Sequence, residues 1–98
     1  MARTPEAITK QDIRRWLVEV GAWFFTPVNT GRGRMGIPDF ICCIGGRFVA
    51  IEAKRAKGGR TTYHQEHEIE LIQRAGGVAL VVSDVHQLKE YFNANQSQ

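Results

Sequence analysis

Two carboxylates and a lysine are predicted to share one end of a hairpin in this sequence. The segment from Gly36 to Lys54 reads G-I-P-D-F-I-C-C-I-G-G-R-F-V-A-I-E-A-K, in which Gly45-Gly46 separates two apolar runs. A Gly-Gly pair favours a two-residue hairpin loop because glycine tolerates the positive φ angles of such turns. With that loop, Asp39 lies directly opposite Glu52. Lys54, two residues beyond Glu52, then shares their face of the sheet.

The two facing acids need a positive partner. Carboxylates placed directly opposite each other destabilise a hairpin. A divalent metal ion between them, with the lysine beside it, would suit chemistry on an anionic substrate. The alternative is a solvated strand end with a lysine salt bridge, and the hairpin register alone leaves both interpretations open.

Composition predicts one cytoplasmic domain. The 98 residues have an ordinary globular composition and leave no room for a second domain. No apolar run approaches the roughly 20 residues of a membrane helix, and the amino terminus lacks the apolar region of a signal peptide. Cys42 and Cys43 are adjacent in a predicted strand, so they point to opposite faces and are expected to be reduced core residues.

Positive charge is concentrated around the acid pair. Between residues 31 and 60, seven basic residues outnumber two acidic ones, a local net charge of +5 within an overall +3. Glycine-containing loops at 29–36 and 56–61 carry much of this charge. The candidates for nucleic-acid contact are Arg32, Arg34, Arg55, Lys57 and Arg60. Such a zone suits a polyanionic partner, although a solvated basic surface would have the same composition.

The rest of the chain supplies the elements that position the hairpin. The predicted order is a helix from Thr4-Pro5-Glu6 to a stop at Gly21, a strand at 22–28, the hairpin, a helix from Thr61 or Thr62 to about Ala75, a strand at 78–82, and a last helix capped by Ser83 or Asp84. The apolar stripe of the first helix comprises Ile13, Trp16, Leu17 and Val20. Continuous apolar sequence in the strand at 22–28 and in the hairpin indicates burial on both faces, unless part of the first strand faces a partner subunit.

Two polar residues outside the hairpin are predicted near its acidic end. Glu6 lies two helical turns before Ile13, on the side of the first helix that packs on the sheet. Gln65 lies one turn before Ile69, on the core-facing side of the second helix. Either residue could instead be solvated, Glu6 as a partner of the helix dipole and Gln65 in a frayed first turn.

This arrangement of elements and motifs resembles the PD-(D/E)XK nuclease superfamily and, more specifically, a stand-alone VRR-NUC (virus-type replication-repair nuclease) domain. The resemblance spans about residues 4–92 and is carried by Thr4-Pro5-Glu6, Gly36-Ile37-Pro38-Asp39-Phe40, Ile51-Glu52-Ala53-Lys54, Gln65 and Ala75-Gly76-Gly77. It implies an α/β, restriction-endonuclease-like α-β-β-β-α-β core. The mixed sheet would be flanked by helices, with an added carboxy-terminal helix, in one domain over residues 1–98 and a polar tail at 93–98. Ala53 departs mildly from the family pattern, in which valine is common at this position.

The resemblance also implies roles for individual residues. Asp39, Glu52 and the backbone carbonyl of Ala53 would bind Mg²⁺ or Mn²⁺, and no organic cofactor is expected. Lys54 would hold the attacking water and offset charge on the scissile phosphate. Glu6 would contact the metal directly or through water, and Gln65 would orient the metal site or the lysine.

The expected function is metal-dependent endonucleolytic hydrolysis of DNA in a bacterial or phage-infected cell. Family analogy favours branched DNA, such as a Holliday junction, and symmetric cleavage of a junction requires two active sites, hence a homodimer. One alternative is a nucleic-acid-binding module without catalysis, but facing acids would repel phosphate in such a module. Another is a nuclease for single-stranded nucleic acid or RNA, which the residues leave open.

Overall fold

A mixed four-stranded sheet is the centre of the described part of the chain. The computed structural model describes residues 3–28 and 31–95. The elements are α1 (Pro5–Glu19), β1 (Trp23–Phe25), β2 (Phe40–Ile44), β3 (Arg47–Ala53), α2 (Tyr63–Arg74), β4 (Val78–Val82) and α3 (Val85–Asn95). The strands lie in the order β1-β2-β3-β4, with antiparallel pairing except between β3 and β4, which are parallel. This confirms the predicted α/β fold and its order of elements.

Some predictions extend beyond the described residues. Asn29 and Thr30 of the predicted 29–36 loop, residues 1–2 of the domain and residues 96–98 of the polar tail all lie outside them. The tail was predicted to begin at residue 93, but α3 continues to Asn95. Within 3–28 and 31–95, no helix is long and apolar enough to cross a membrane.

The predicted hairpin register is confirmed for the five residue pairs of the β2–β3 ladder. Pairing runs from Ile44 opposite Arg47, beside the turn, to Phe40 opposite Ile51. Gly45-Gly46 forms the turn with φ angles of 58° and 82°. Positive φ at both positions matches the right-handed twist of the strands, so this turn fixes the register locally.

Side-chain caps begin the first and last helices where the sequence predicted them. The Thr4 hydroxyl accepts a hydrogen bond from Ala7 N (3.1 Å), and Pro5 is the first residue of α1. At the start of α3, the Asp84 carboxylate accepts a hydrogen bond from His86 N (2.7 Å). These caps satisfy backbone donors that have no partner inside the helix.

The hydrophobic core lies between the sheet and the pair of helices α1 and α3. The buried residues of this cluster include Ile13, Trp16 and Leu17 of α1, Phe40 and Cys42 of β2, Val49 and Ile51 of β3, Val82 of β4, and Leu88 of α3. Val20 was predicted on the buried stripe, but it is 45% exposed because it is the C-cap of α1, beyond the last turn. Burial raises the pKa of the Cys42 thiol to about 12, so this cysteine stays protonated and inert.

The opposite face of the sheet is only partly covered, which corrects two predictions. β1 is a three-residue edge strand, and Trp23 on it is 64% exposed rather than buried on both sides. Cys43, predicted in the core, is exposed in the row that joins Trp23 to Phe48 across β2. The reason is that α2 packs on β4 and leaves this part of the sheet open. Apolar residues on both faces of a strand therefore do not require that a helix cover each face.

Candidate active site at the end of the hairpin

Asp39 and Glu52 meet where β2 begins and β3 ends. Asp39 is the residue directly before β2, and its carboxylate Oδ2 accepts a hydrogen bond from Ala53 N (2.9 Å). The ladder itself stops one pair earlier, at Phe40 and Ile51, so Asp39 reaches β3 through its side chain rather than through backbone pairing. This contact ties the first acid of the predicted site to the residue that follows the second acid.

Lys54 lies beside Glu52, as the sequence predicted. It follows the last residue of β3, and its backbone N–H donates to Val82 O of β4 (2.8 Å), which extends the parallel pairing. Its Nζ is 3.5 Å from Glu52 Oε2, and the lysine side chain is 17% exposed. The parallel strand β4 thus fixes the backbone from which this ammonium group reaches the acid.

Glu52 is an acid in an unfavourable environment for its charge. It is only 3% exposed. Burial, and then the negative charge of Asp39, raise the pKa of its carboxyl from 4.5 to about 7, while the Lys54 ammonium acts in the opposite direction. A second positive charge at this position would therefore stabilise the ionised form.

The shifted pKa predicts how stability depends on pH in the absence of metal. Between pH 4.5 and about 7, the folded protein keeps a proton on Glu52 that the unfolded chain has already released. The stabilisation that this proton gives is fully present below this window and is lost as pH rises through it. Relative to Glu52→Gln, which is neutral at every pH, the wild-type free energy of unfolding should fall by up to about 3 kcal/mol between pH 5 and 8. Urea denaturation in EDTA measures this difference. Parallel pH curves for the two proteins would contradict the assignment.

Gln65 reaches the same acid from the first turn of α2. Its Nε2 donates to Glu52 Oε2 (3.1 Å). Its Oε1 accepts from Thr62 N (2.9 Å), while the Thr62 hydroxyl accepts from Gln65 N (3.2 Å). These reciprocal bonds form a capping box. The helix start is therefore ordered by the same side chain that contacts the site, and not frayed.

Glu6 lies near the site, but Lys10, which the sequence pattern did not indicate, lies between it and Asp39. Lys10 Nζ is 3.6 Å from Glu6 Oε2 and 3.4 Å from Asp39 Oδ1. The spacing of four residues on α1 could have revealed the Glu6–Lys10 ion pair. The contact with Asp39 depends on how α1 docks on the sheet, which the spacing does not report.

The donor set fits a hard divalent cation. In the part of the chain that the structure describes, no three acidic, cysteine or histidine side chains converge as a metal centre. The potential donors are the carboxylates of Asp39 and Glu52 and the carbonyl of Ala53. Magnesium favours such a set because it binds through one or two carboxylates and keeps several waters.

The predicted basic contacts fall into two groups, of which the first, the exposed residues Arg32 and Arg34, lies before β2. Arg34 forms an ion pair with Glu68 of α2, with its Nε 2.7 Å from Glu68 Oε2, although its side chain remains largely exposed. Arg55, Lys57 and Arg60, in the loop between β3 and α2, are exposed, and none forms an ion pair within the described residues. This second loop follows Lys54 directly, so it carries its positive charge next to the site.

The fold is that of known VRR-NUC domains. A solved structure described as a VRR_NUC domain has a TM-score of 0.78 at 21% sequence identity, with 93% of this chain and 97% of that chain covered. A VRR_NUC domain protein has a TM-score of 0.72 at 17% identity, with 96% and 89% covered. No protein-family model matches the sequence, and a search of curated proteins finds no match. The structural similarity spans almost the whole chain and confirms the fold that the sequence pattern predicted.

Proposed function

We propose that this protein is a metal-dependent nuclease that hydrolyses phosphodiester bonds in DNA. The observation that carries the proposal is a buried acid, Glu52, with the Lys54 ammonium 3.5 Å from its carboxylate and a second acid, Asp39, hydrogen-bonded to the next residue, Ala53. Two acids and a lysine at the same end of the hairpin are suited to holding a cation against a phosphodiester. The fold shared with VRR-NUC domains supports the same class of reaction.

Each residue of the site has a distinct part in this proposal. Asp39, Glu52 and the Ala53 carbonyl would hold Mg²⁺ or Mn²⁺, which when bound lowers the pKa of a water ligand and stabilises negative charge on phosphate. Lys54 holds the attacking water or neutralises a phosphate oxygen through its ammonium group. Gln65 keeps the Glu52 carboxylate in place. Because Glu52 must lose its proton to act as a ligand, metal affinity should rise with pH through about 7.

The separate contributions of the capping box and the site contact can be measured. Thr62→Ala removes one cap bond and should cost about 1 kcal/mol of stability, with cleavage within about twofold of wild type. Gln65→Ala removes the cap bond and the bond to Glu52, so the single-turnover cleavage rate should also fall about tenfold. Urea denaturation and cleavage assays on both variants separate the two effects. Equal cleavage rates in the two variants would show that Gln65 acts only as a cap.

Branched DNA is the substrate that we propose, cut by a homodimer. The support for a second subunit is the uncovered apolar face, where Trp23 and Phe25 of the edge strand β1 and Phe48 of β3 are exposed. Burying such a patch against a copy of itself would remove it from water and supply the second active site that symmetric cleavage needs. Light scattering should give a dimer for the wild type and a monomer for Trp23→Asp. A monomer in the wild type under cleavage conditions would exclude a junction resolvase acting as a dimer.

A substrate panel tests the proposed reaction. Labelled four-way junction, matched linear duplex, single-stranded DNA and RNA are each incubated with protein in Mg²⁺, Mn²⁺ or EDTA. The proposal predicts cleavage that requires metal and is fastest on the junction. Equal rates on junction and duplex would remove the structure selectivity, and faster cleavage of single strands or RNA would favour that alternative. Junction binding without cleavage of any substrate would indicate a binding module.

A further inference from the structure

Lys10 forms an ion pair with Asp39 through the carboxylate oxygen that does not accept the backbone hydrogen bond. Asp39 Oδ2 accepts from Ala53 N, and Asp39 Oδ1 is 3.4 Å from Lys10 Nζ. The same ammonium is 3.6 Å from Glu6 Oε2, and the lysine side chain is 38% exposed. One cation therefore bridges a carboxylate on α1 and a carboxylate at the start of β2.

The local charges divide into two lysine-centred groups. Lys54 pairs with Glu52, whereas Lys10 pairs with Asp39 and Glu6. Three carboxylates and two ammonium groups leave this edge of the sheet close to electrical balance before any metal arrives. A divalent cation that binds Asp39 must either displace the Lys10 ammonium or remain close to it at a Coulombic cost.

We propose that Lys10 is a resident cation that competes with the divalent metal for Asp39. This inference rests on the metal site of the proposed function. In the metal-free protein Lys10 holds Asp39 and Glu6 together, and metal binding exchanges its ammonium for the metal at Asp39. Lys10 is thus a positioning residue, and it raises the metal concentration at which the site fills.

Manganese affinity in the absence of nucleic acid tests this exchange. Isothermal titration is performed at pH 8, above the pKa of Glu52, on wild type, Lys10→Met and Lys10→Arg. Methionine keeps most of the length of the side chain and removes its charge, so Lys10→Met should bind Mn²⁺ about three- to tenfold more tightly. Lys10→Arg keeps the charge and should stay within about twofold of wild type.

Two controls separate this inference from the metal site on which it rests. Lys89→Met makes the same change in net charge at an exposed position on α3 and should leave Mn²⁺ affinity unchanged. Asp39→Asn should weaken Mn²⁺ binding.

If wild type binds Mn²⁺, Asp39→Asn weakens it and Lys10→Met matches wild type, the competition is overturned and the metal site stands. An equal increase in Mn²⁺ affinity in Lys89→Met also overturns the proposed competition, because the effect would then come from net charge. If Asp39→Asn binds as wild type does, the metal site itself is overturned.

Discussion

Asp39→Asn is expected to slow DNA cleavage at saturating Mg²⁺ by at least about 100-fold while the protein stays folded. Asparagine removes the negative charge that a metal requires, but its amide oxygen can still accept the hydrogen bond from Ala53 N. It also removes the negative charge that, after burial, raises the pKa of Glu52. We therefore expect little change in the free energy of unfolding. Single-turnover cleavage of the labelled junction and urea denaturation measure the two quantities.

Lys54→Ala provides an independent test of the same site. Its ammonium is 3.5 Å from Glu52 Oε2 and its side chain is mostly buried, so its loss should reduce cleavage by a similar factor without removing a carboxylate. Lys89→Ala, an exposed lysine on α3, is the matched control and should cleave at the wild-type rate. If Asp39→Asn and Lys54→Ala both cleave within a few-fold of wild type, the reaction does not take place at this end of the hairpin.

The second large effect concerns Gly36, which lies in the loop before Asp39. Its φ angle is 82°, and a Cβ at this position would lie 2.3 Å from the backbone carbonyl carbon and oxygen of His64 and 2.7 Å from Gln65 N. These atoms belong to the first turn of α2, so no side chain can move aside to relieve the clash. Gly36→Ala should therefore cost about 3 kcal/mol or more, from the left-handed backbone and the overpacking together.

Gly21→Ala isolates the steric part of this effect. Gly21 also has a positive φ, 72°, but a Cβ there would meet no atom within 4 Å. Its substitution should cost only about 1 to 2 kcal/mol, the ordinary penalty for an L-residue in this conformation. Urea denaturation of both variants gives the comparison. Similar losses of stability would mean that the loop before Asp39 does not pack against α2 as described.

The predictions that succeeded rest on local rules. The Gly45-Gly46 turn selects the hairpin register, and a two-residue period then places Lys54 on the side of Glu52. The caps at Thr4 and Thr62 depend on contacts only three residues apart. Such features can be derived from sequence because few alternative conformations compete with them.

The features that the sequence did not reveal depend on how distant elements dock. Lys10 meets Asp39 only because α1 lies across the sheet, and the Arg34–Glu68 ion pair joins a loop to a helix 34 residues later. The exposure of Trp23 and Cys43 depends on how much of the sheet α2 covers. An apolar run indicates that burial is favourable, but it does not identify the element or subunit that provides it.

The position of a bound metal tests the central claim most directly, because it does not depend on which nucleic acid is cut. Crystals grown with Mn²⁺ at pH 8, with diffraction data collected at the manganese absorption edge, locate the ion from its anomalous signal. We predict a peak in contact with the carboxylates of both Asp39 and Glu52, and its loss in Asp39→Asn. Manganese bound elsewhere, with neither carboxylate as a ligand, would contradict a metal-dependent nuclease site at the end of this hairpin.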